Sequence, residues 1–470
     1  MKFFAATLAA MASAQQIGTN TQEQHLNMKF QECESGSCFD NYGSIVLDAN
    51  WRWLHNVGGY TNCYTGNSWD TSICPDNKTC AEQCAIDGVD NQTWANTYGV
   101  TSSGTDLKLG FVTQGSYAKN VGSRTYLMDS AGHYKQFQMA NKEFSFTVDV
   151  SNLPCGINGA LYFAEMPADG GKGEYGDDKA GADYGVGYCD AQCPHDVKFI
   201  NGEANAEGWN PSPSDPNAGS GKYGSCCMEF DIWEANSISQ AFTAHPCTVD
   251  RERCSGGDCG DNETNDRYGG ICDKDGCDFA TFRHGQKNFY GPGSQFDVDT
   301  TQKFQVITQF LTADGTDNGE ITEIRRKYVQ NGKVIETPSV TINGKEHKGI
   351  TDDFCEDVKG WFGDQNDFKK KGGLSAMSRA LTQGMTLVLS IWDDHAVNML
   401  WLDSDYPTDR DPSEPGVARG TCSTDSGKPE EVEAQHPDAH VIFGDIRYGD
   451  IDSTYGEGYN YTAFSAEFTQ

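Results

Sequence analysis

The sequence predicts an all-β protein of two packed antiparallel sheets, with long loops built over one face. The first observation is a period-two alternation of apolar and polar residues, which is typical of strands with one buried face. The second is the abundance of glycine, 53 of 470 residues, because glycine in polar segments separates these alternating stretches. Strands are predicted at residues 144–150, 304–310, 385–392 and 441–448.

Turns and one helix complete the predicted elements. Asn331-Gly332 and Asn343-Gly344 each lie between short strand-like segments, which is typical of tight hairpins. Residues 374–381, followed by a helix-ending glycine, form the best helix candidate. Long polar segments contain cysteines and aromatic residues, so we expect ordered loops at 167–183, 201–224 and 250–276.

The N-terminus has the pattern of a secretory signal peptide. A lysine-bearing start precedes a short apolar segment that ends in small residues at Ala14. This segment is too short to span a membrane, and no later segment approaches roughly eighteen apolar residues. We therefore expect residues 1–14 to be removed and the protein to be secreted. Because there is no internal repeat, Ser/Thr/Pro-rich linker or cysteine-rich tail, we expect one domain at 15–470.

The eighteen cysteines fit an extracellular protein. No CxxC pair combines with a matching His or Cys pair at the spacing of a zinc site, so we predict disulfides and no metal site. Sequons that would accept glycans in this compartment lie at Asn77, Asn91, Asn262 and Asn460.

The charge balance is strongly acidic. Lys and Arg number 35 and Asp and Glu number 68, which gives a net charge of −33. Such a chain repels nucleic acids and anionic membranes, so we exclude both as partners. The balance suits a neutral ligand.

Residues 226–234 are the most informative stretch of the chain. Apolar and other positions alternate as in a half-buried strand, with Met228, Phe230 and Ile232 on one face and Glu229, Asp231 and Trp233 on the other. Carboxylates this close repel one another and push their pKa values apart. Such a difference in pKa separates an acid from a base in a catalytic site.

The spacing of the two glutamates requires an irregularity in this strand. Glu234 lies five positions after Glu229 and would point into the core of a regular strand. A β-bulge between Asp231 and Glu234 would return Glu234 to the acidic face. The two Cα atoms would then lie about 13 Å apart. Converging side chains would reach the roughly 5–5.5 Å that retaining glycosidases use. The motif alone leaves a solvated acidic strand or a calcium site as alternatives.

Tryptophans give a second functional signal. Trp51 and Trp53 flank Arg52, while Trp392 and Trp401 flank an acidic pair. In a strand, Trp51 and Trp53 would share one face. A flat aromatic surface beside donors and acids stacks on the apolar face of a pyranose ring, so the pattern favours a polymeric sugar as ligand. Core packing is the alternative for each tryptophan taken alone.

Residues 226–237, CCMEFDIWEANS, resemble the catalytic signature of glycoside hydrolase family 7, the cellobiohydrolases and endoglucanases that cleave cellulose. The resemblance covers essentially the whole mature chain. Further matching segments are ANWRW at 49–53, CPDN at 74–77, LPCGINGALYF at 153–163, GYCDAQCPHDVKFINGEAN at 187–205, DRYGG at 266–270, CDKDGCD at 272–278 and SIWDDHAVNMLWL at 390–402.

The resemblance implies a concanavalin-like β-jelly roll sandwich, long loops that roof a substrate tunnel, and hydrolysis with net retention. It implies Glu229 as nucleophile, Glu234 as general acid/base and Asp231 as the carboxyl that tunes the nucleophile. Supporting residues would be Asp190 and His245. Substrate-binding residues would be Trp51, Trp53, Trp392, Trp401, Arg267, Arg419, Tyr162 and Asn158, with the two arginines on the product side. The residues alone favour a structural role for the histidine and surface roles for the arginines. No cofactor is implied.

The family also implies a disulfide pattern. The expected pairs are 33–38, 63–84, 74–80, 155–422, 189–227, 193–226, 247–272, 254–259 and 277–355. Many members carry one more bridge near the N-terminus. Its two positions correspond to Gly18 and Ala85, so both halves are missing together.

The same resemblance bears on exo or endo action. The segments 196–224 and 250–270 resemble loops that roof the tunnel of cellobiohydrolases. Arg419 also matches cellobiohydrolases rather than endoglucanases. However, Glu263 and Ala396 stand where well-studied cellobiohydrolases place tyrosines that meet across the tunnel. We therefore expect a roof that opens more readily.

These arguments lead to one expected function. We expect a secreted, monomeric, retaining cellobiohydrolase that releases cellobiose from cellulose and cello-oligosaccharides, by resemblance from reducing ends. Residues 15–470 would form one catalytic domain without a linker or cellulose-binding module. The alternatives are an endo-β-1,4-glucanase with a partly open tunnel, and a carbohydrate-binding lectin on a similar sandwich whose acids hold calcium.

Overall fold

A computed structural model describes residues 15–175, 178–260 and 266–456. Strands dominate this part of the chain, and seventeen of its thirty-four strands belong to two stacked sheets. The predicted all-β sandwich is therefore confirmed. We call the sheet that contains the acidic strand, Glu229–Ala235, the front sheet, and the other the back sheet.

The front sheet is antiparallel throughout. Its order from edge to edge is Leu26–Glu34, Ser37–Leu47, Ser123–Met128, Met385–Asp393, Ile157–Ala164, Glu229–Ala235, Gln240–His245 and Cys277–Phe279. The short strand Gln136–Phe137 also pairs with Met385–Asp393. The acidic strand is thus an interior strand, with neighbours on both sides to fix its register.

The back sheet stacks behind the front sheet. Its order is Val100–Ser102, Asp106–Gly110, His440–Asp450, Lys142–Asp149, Phe304–Thr312 and Ile321–Gln330, with Lys333–Glu336 and Gly349–Ile350 both paired to the last. The two sheets meet at one corner, where Leu26–Glu34 pairs in parallel with His440–Asp450.

Apolar side chains from both sheets fill the space between them. The ring of Trp233 is fully buried there and makes edge contacts with Phe146, Phe304 and Tyr328. The simple alternation in the sequence placed Trp233 on the acidic face, and this is wrong. A β-bulge after Asp231 shifts the following residues by one position and turns the indole into the core.

The four predicted strands are all present and slightly longer than expected. Both Asn-Gly hairpins are also confirmed. Asn331 and Gly332 have φ of 52° and 75°, and Asn343 and Gly344 have φ of 51° and 82°. Positive φ at both central residues is the geometry of a type I′ turn, which matches the twist of the flanking strands. The second hairpin joins Val340–Ile342 to Lys345–His347.

The predicted helix spans Gly373–Gln383 and ends at a glycine, as expected. The prediction missed another helix of equal length, Asp352–Phe362. The sequence contains the start and stop signals of this helix, because Thr351 caps the first turn and Gly363, at φ 74°, ends the last turn. The other helices are short: Asn77–Gln83, Asn91–Asn96, Asp367–Lys370, Leu400–Asp403 and Pro429–Gln435, with 3₁₀ turns at Ala49–Trp51, Gly181–Tyr184 and Gly256–Cys259.

Short strand pairs occur outside the two sheets, some of them in the predicted loops 201–224 and 250–276, while residues 176–177 and 261–265 of the predicted loops lie outside the described residues. These pairs are Gln16–Ile17 and Leu54–Asn56 with Cys84–Ile86, Tyr64–Thr65 with Ser68–Trp69, Val112–Gln114 with Lys119–Val121, Phe199–Ile200 with Glu203–Ala204, Asn210–Pro211 with Gly219–Ser220, Tyr223–Cys227 with Arg251–Ser255, and Tyr290–Gly291 with Val298–Asp299.

All nine disulfides implied by the resemblance are present, and they use all eighteen cysteines. The missing tenth bridge is replaced by backbone pairing. Gln16 pairs with Ala85, and the Gly18 amide donates to the Ile86 carbonyl at 2.7 Å. A side chain at Gly18 would begin only 2.5 Å from the carboxylate of Asp87, so the position has no room for cysteine.

Two of the predicted sequons differ sharply in exposure. Asn91 is exposed at the start of its helix, whereas Asn77 is only 5% exposed and its side-chain oxygen accepts two backbone N–H groups. Asn262, Asn460 and the predicted signal peptide at 1–14 lie outside the described residues. Within the described ranges, no helix has the length and apolar character needed to cross a membrane.

Candidate active site

The acidic strand contains the predicted bulge. On the neighbouring strand Ile157–Ala164, Ala164 lies opposite Glu229 and Ala160 lies opposite Glu234. The acidic strand therefore advances five residues where its neighbour advances four. Because side chains alternate between faces along a regular strand, two residues four positions apart point to the same face, and the glutamates opposite them do so as well. On the other neighbour, the register shifts between Asp231 and Glu234. The bulge thus places both glutamates on the face turned away from the core, with Cα atoms about 13 Å apart along the neighbour.

The backbone freed by the bulge is bonded from the back sheet. Ile232 has no register partner on either neighbouring strand. Arg326 reaches across the core, and its guanidinium donates to the Ile232 carbonyl and, at 3.0 Å, to the Thr308 hydroxyl. The guanidinium also lies 4.3 Å from the ring centre of Phe242. Arg326 is 2% exposed, and this burial lowers its pKa. A buried cation on an unpaired carbonyl fixes the bulge at one position.

Glu229 lies beside a turn that supplies a backbone donor. The Ala191 N–H donates to its carboxylate at 3.1 Å. The neighbouring Asp190 accepts the Gln192 N–H at 2.8 Å and the Tyr188 hydroxyl at 2.5 Å. Burial raises the pKa of Glu229 well above its ordinary value, and the charges of nearby carboxylates raise it further.

Glu234 is held by an amide. The Asn158 side chain donates to its carboxyl at 3.0 Å and, through its oxygen, accepts the Ala235 N–H at 2.9 Å. Burial also raises the pKa of Glu234 well above its ordinary value, with the charge of Asp231 adding to the effect. Two carboxyls with raised pKa values in one site favour a state in which one of them keeps its proton at neutral pH.

Asp231 forms an ion pair with His245. The His245 Nε2 lies 3.0 Å from the Asp231 carboxylate, and its Nδ1–H donates to the Asp273 carbonyl at 2.8 Å. Burial alone would lower the pKa of His245, but hydrogen bonds and charge attraction to Asp231 outweigh it and raise the pKa to about 9. The site therefore holds a buried imidazolium opposite its acids.

A tight turn fixes the position of the imidazole. The Asp273 carboxylate accepts the backbone N–H groups of Asp275 and Gly276, which orients the carbonyl that His245 bonds. Gly276 has φ of 64°, and a Cβ there would lie 2.6 Å from the imidazole and 2.5 Å from the methyl group of Thr243. Only glycine fits against the ring, so this turn holds it toward Asp231.

Arg124 and Tyr188 belong to the site but were not among the predicted residues. The Tyr162 hydroxyl lies 2.8 Å from that of Tyr188. The Arg124 guanidinium stacks 3.3 Å from the centre of the Tyr188 ring and 5.4 Å from that of Trp51. Arg124 therefore connects the surroundings of Glu229 to the first tryptophan. The alternating pattern of its strand could be seen in the sequence, but the aromatic residues that Arg124 stacks on lie far away in sequence.

The first tryptophan pair is arranged differently from the expectation. Trp51 ends a 3₁₀ turn, Ala49–Trp51, so the predicted shared strand face is wrong. The indole N–H of Trp51 donates to the Val121 carbonyl, while Trp53 is 36% exposed and donates to Asn62 at 2.7 Å. Arg52 between them is buried. The two indoles thus face different surroundings in the described structure.

The indoles of the second tryptophan pair stack on each other. Trp392 and Trp401 have ring centres 6.3 Å apart and planes 28° apart. Trp392 pairs in register with Asn158, the residue that bonds Glu234. Arg419 donates to the Trp401 carbonyl at 3.4 Å, and burial lowers its pKa to about 9. Trp392, Trp401 and Arg419 therefore extend the site beyond Glu234.

Arg267 lies farther out on the same side. Its guanidinium pairs with Asp275 at 2.7 Å, and the side chain is more than one-third exposed. The Tyr268 hydroxyl donates to the same carboxylate at 2.9 Å. Asp275 belongs to the turn that carries Gly276, so Arg267 is tied to the support of His245.

A loop at 209–217 crosses toward the elements on either side of the site. Asn67 donates to the Ser212 and Asp215 carbonyls at 3.1 and 3.2 Å. On the other side, the His395 Nδ1 lies 3.0 Å from the Ser214 carbonyl. Ala396 is exposed, and Glu263 lies outside the described residues. The loop therefore bridges the hairpin Tyr64–Trp69 and the segment that follows Trp392.

The acids also have the spacing of a metal site. Ligand atoms of Glu229, Asp231 and His245 lie within 4.8 Å of one another. However, one of the three donors is an imidazole nitrogen that already contacts the Asp231 carboxylate at 3.0 Å. Calcium also prefers oxygen ligands alone. The chemistry of this donor set therefore fits an acid–base site better than a calcium site.

Comparisons with known proteins agree on one family. The sequence model described as Glycosyl hydrolase family 7 matches residues 17–455. The chain is similar to a GH7 family cellobiohydrolase from Daphnia pulex, with 55% identity, 94% of this chain and 100% of that chain covered, and a TM-score of 0.93. It is similar to a cellobiohydrolase from Melanocarpus albomyces complexed with cellotetraose, with 45% identity, the same coverage and a TM-score of 0.88. An endocellulase from Humicola insolens has 34% identity, the same coverage and a TM-score of 0.78.

We predict that His245 makes stability depend on pH. Its pKa rises from about 6.5 to about 9 on folding, so its contribution is complete below about pH 6.5 and is lost as pH rises through about 9. The contribution is on the order of 3 kcal/mol. Thermal unfolding midpoints between pH 6 and 9.5 should fall more steeply for the native chain than for His245→Gln. The exposed control His133→Gln should follow the native chain. Parallel curves for the native chain and H245Q would contradict the ion pair.

Proposed function

The chain belongs to glycosyl hydrolase family 7 and is a cellulase of that family, and from this premise we propose that it is a secreted, retaining cellobiohydrolase. It would hydrolyse β-1,4-glucosidic bonds of cellulose and release cellobiose from reducing ends. The proposal assigns residues 1–14 to a signal peptide and 15–470 to one catalytic domain that acts as a monomer. The observation that carries retention is the bulge, which places Glu229 and Glu234 on one face.

The roles of the two carboxyls are assigned by resemblance to the family signature. Each carboxyl accepts one neutral N–H, Glu229 from Ala191 and Glu234 from Asn158, and each bond lowers the pKa of its acceptor. Residues 226–237 match the family's catalytic signature, so we assign Glu229 as nucleophile and Glu234 as general acid/base.

The reaction would proceed in two displacements. A Glu229 oxygen forms a bond to the anomeric carbon while the glycosidic carbon–oxygen bond breaks and Glu234 gives its proton to the leaving oxygen. Glu234, now a carboxylate, takes a proton from water as that water attacks the same carbon. The bond to Glu229 breaks, and Glu234 is again protonated. Two inversions at one carbon give net retention.

The Asp231–His245 pair would tune the nucleophile. After burial, the charge of Asp231 is the largest cause of the raised pKa of Glu229, and His245 pairs with that carboxylate at 3.0 Å. In the proposal, Asp231 acts through its position beside Glu229, and His245 is a positioning residue that holds the Asp231 carboxylate in place. Asp190 and its partner Tyr188 hold the turn that carries the Ala191 donor.

Substrate would lie along the line of aromatic residues across the site. Trp51 and Arg124 stand toward one end, and Trp392, Trp401 and Arg419 stand toward the other. By family resemblance, we assign the cellobiose product to the arginine end. Indole faces stack on pyranose rings, and guanidinium groups bond sugar hydroxyls.

The bridging loop at 209–217 favours exo action. A cellulose chain under a closed roof has to enter by its end, whereas an open cleft accepts the middle of a chain. The loop is bonded to Asn67 on one side and to His395 on the other. Endo action is the second candidate, because Ala396 contributes only a methyl group near this contact.

We expect Glu229→Gln to abolish nearly all turnover while cello-oligosaccharide binding persists, because the amide keeps the shape but cannot form the glycosyl-enzyme. Exposed Glu430→Gln is the matched control and should keep its activity. For the native enzyme, proton NMR of cello-oligosaccharide hydrolysis should show the β-anomer first. Initial release of the α-anomer would exclude retention, and a fully active E229Q would exclude this nucleophile.

We expect His395→Ala to shift the enzyme toward endo action. Loss of the contact to the Ser214 carbonyl frees one side of the bridging loop. The viscosity of carboxymethylcellulose should then fall faster per reducing end released than with the native enzyme. His133→Ala, an exposed histidine remote in sequence, is the control. An unchanged ratio of viscosity loss to reducing ends would show that this contact does not close the roof.

We expect Arg326→Met to lower activity by more than its effect on stability explains. The Ile232 carbonyl would be left buried without this donor, which costs about 1–3 kcal/mol, so the thermal midpoint should fall moderately while the variant still folds. The bulge would lose its donor at Ile232, and a displaced Glu234 would lower kcat roughly 10- to 100-fold. Arg325→Met, an exposed neighbour paired with Glu323, is the control. Native kcat in R326M would remove the positioning role.

A further inference from the structure

A buried aspartate, Asp403, lies behind the arginine end of the site and is not used by the proposed mechanism. It ends the short helix Leu400–Asp403, two residues after Trp401, and it is 0% exposed. Burial raises its pKa to about 6, so the carboxyl is ionised at neutral pH. Buried charges persist in proteins only when they are paired or hydrogen-bonded, so the partners of Asp403 show what it holds in place.

Both donors to this carboxylate come from the strands that hold the proposed acid/base. The Gly156 N–H donates at 2.8 Å and the Asn236 amide donates at 2.7 Å, and both reach the same oxygen, Oδ2. Gly156 lies two residues before Asn158, and Asn158 donates to Glu234 at 3.0 Å. Asn236 lies two residues after Glu234. Asp403 therefore joins the ends of the two strands that bring Asn158 and Glu234 together.

Regular pairing between these two strands stops short of Asp403. The register pair nearest to it joins Gly159 to Ala235. Beyond that pair, the Asn158 side-chain oxygen accepts the Ala235 N–H at 2.9 Å, and Asp403 adds a second cross-link. Because strand ends without ladder bonds open most easily, a carboxylate that bonds both strands fixes how Asn158 meets Glu234.

The same contacts lead on to Arg419. The Asn236 side-chain oxygen accepts the Ser239 N–H at 3.2 Å, and the Ser239 hydroxyl donates to the Arg419 carbonyl at 2.6 Å. The Arg419 N–H donates to the carbonyl of Ser404, the residue after Asp403, at 2.9 Å. Asp403, the end of the acidic strand and Arg419 thus form one closed set of hydrogen bonds.

We propose that Asp403 is a positioning residue that keeps Glu234 aligned with the product platform, which we define as Trp401 and Arg419. The assignment rests on the proposed function, in which Glu234 gives its proton to the leaving oxygen of a sugar held on this platform. Asp403 is fully buried and acts through its two partners rather than on substrate. Because both bonds converge on one oxygen, position rather than charge carries the effect.

The test compares Asp403→Ala and Asp403→Asn with the matched control Glu143→Ala. Glu143 is also 0% exposed, and its carboxylate accepts the backbone N–H groups of Thr454 and Asp452 at 2.7 and 2.8 Å. It lies on the back-sheet strand Lys142–Asp149, away from the acidic strand. The control therefore removes a similar buried carboxylate and leaves similar backbone donors unpaired.

Two substrates separate loss of acid alignment from general damage. One is cellotetraose, whose sugar leaving group needs a proton. The other is dinitrophenyl β-cellobioside, whose aryl leaving group departs without help from an acid. For every variant, kcat/KM is measured on both substrates, and inhibition by cellobiose and the thermal midpoint are measured alongside.

We expect D403A to lower kcat/KM on cellotetraose about 10- to 100-fold, because a small misplacement of a catalytic group has an effect of that size. The loss on the aryl cellobioside should be less than about 3-fold, and the inhibition constant of cellobiose should rise. D403N should restore all three, because its amide oxygen can take the place of Oδ2. E143A should lower the thermal midpoint but leave kcat/KM and cellobiose inhibition native.

Four results would overturn the positioning role: native kcat/KM of D403A on cellotetraose, equal losses on the two substrates, the same losses with E143A, or a D403N as impaired as D403A. If D403A does not fold, Ser239→Ala decides, since it breaks only the bond to the Arg419 carbonyl. A raised cellobiose inhibition constant is expected there, and a native one would overturn the network. Initial release of the α-anomer by the native enzyme would instead overturn the proposed function.

Discussion

The site depends on one extra residue in the acidic strand. Without the bulge, Glu234 would point between the sheets and Trp233 would point to solvent. The bulge reverses both, so core packing and site assembly come from the same irregularity. Arg326 bonds the Ile232 carbonyl from across the core, and Asn158 bonds both Glu234 and the Ala235 N–H. The register is therefore held from behind and from the side, because a slip of one residue would exchange the faces.

The second requirement is a cation among the acids. Burial raises the pKa values of Glu229 and Glu234, and the charge of Asp231 raises both further. His245 supplies the positive charge, and Gly276 leaves just enough room for its ring. The turn at Asp273 thus affects the electrostatics of the carboxyls indirectly, since it fixes the position of the imidazolium. A catalytic centre of this kind needs its supporting turn to be as well ordered as its carboxyls.

Sequence reasoning reached the parts of the site that follow from local spacing. The parity of Glu229 and Glu234 demanded a bulge, and Asn-Gly pairs gave the hairpins. Family resemblance supplied the disulfides, which spacing could not. The reasoning failed at Trp51, because Asp48 caps a 3₁₀ turn by accepting the Asn50 N–H and interrupts the assumed strand. Contacts of Arg326 and Arg124 join residues far apart in sequence, so no local pattern could show them.

The bridging loop is held unequally on its two sides, which bears on how the roof opens. Toward the hairpin Tyr64–Trp69, it makes four hydrogen bonds that involve Tyr64, Asn67 and the Trp209 indole. Toward His395, the described residues show one hydrogen bond and the approach of the His395 Nε2 to the Asp215 carboxylate at 4.0 Å. Since a typical hydrogen bond contributes about 1 kcal/mol net, the His395 side separates at smaller cost. Under the proposed function, exo or endo action would therefore depend on the lifetime of these His395 contacts more than on loop length.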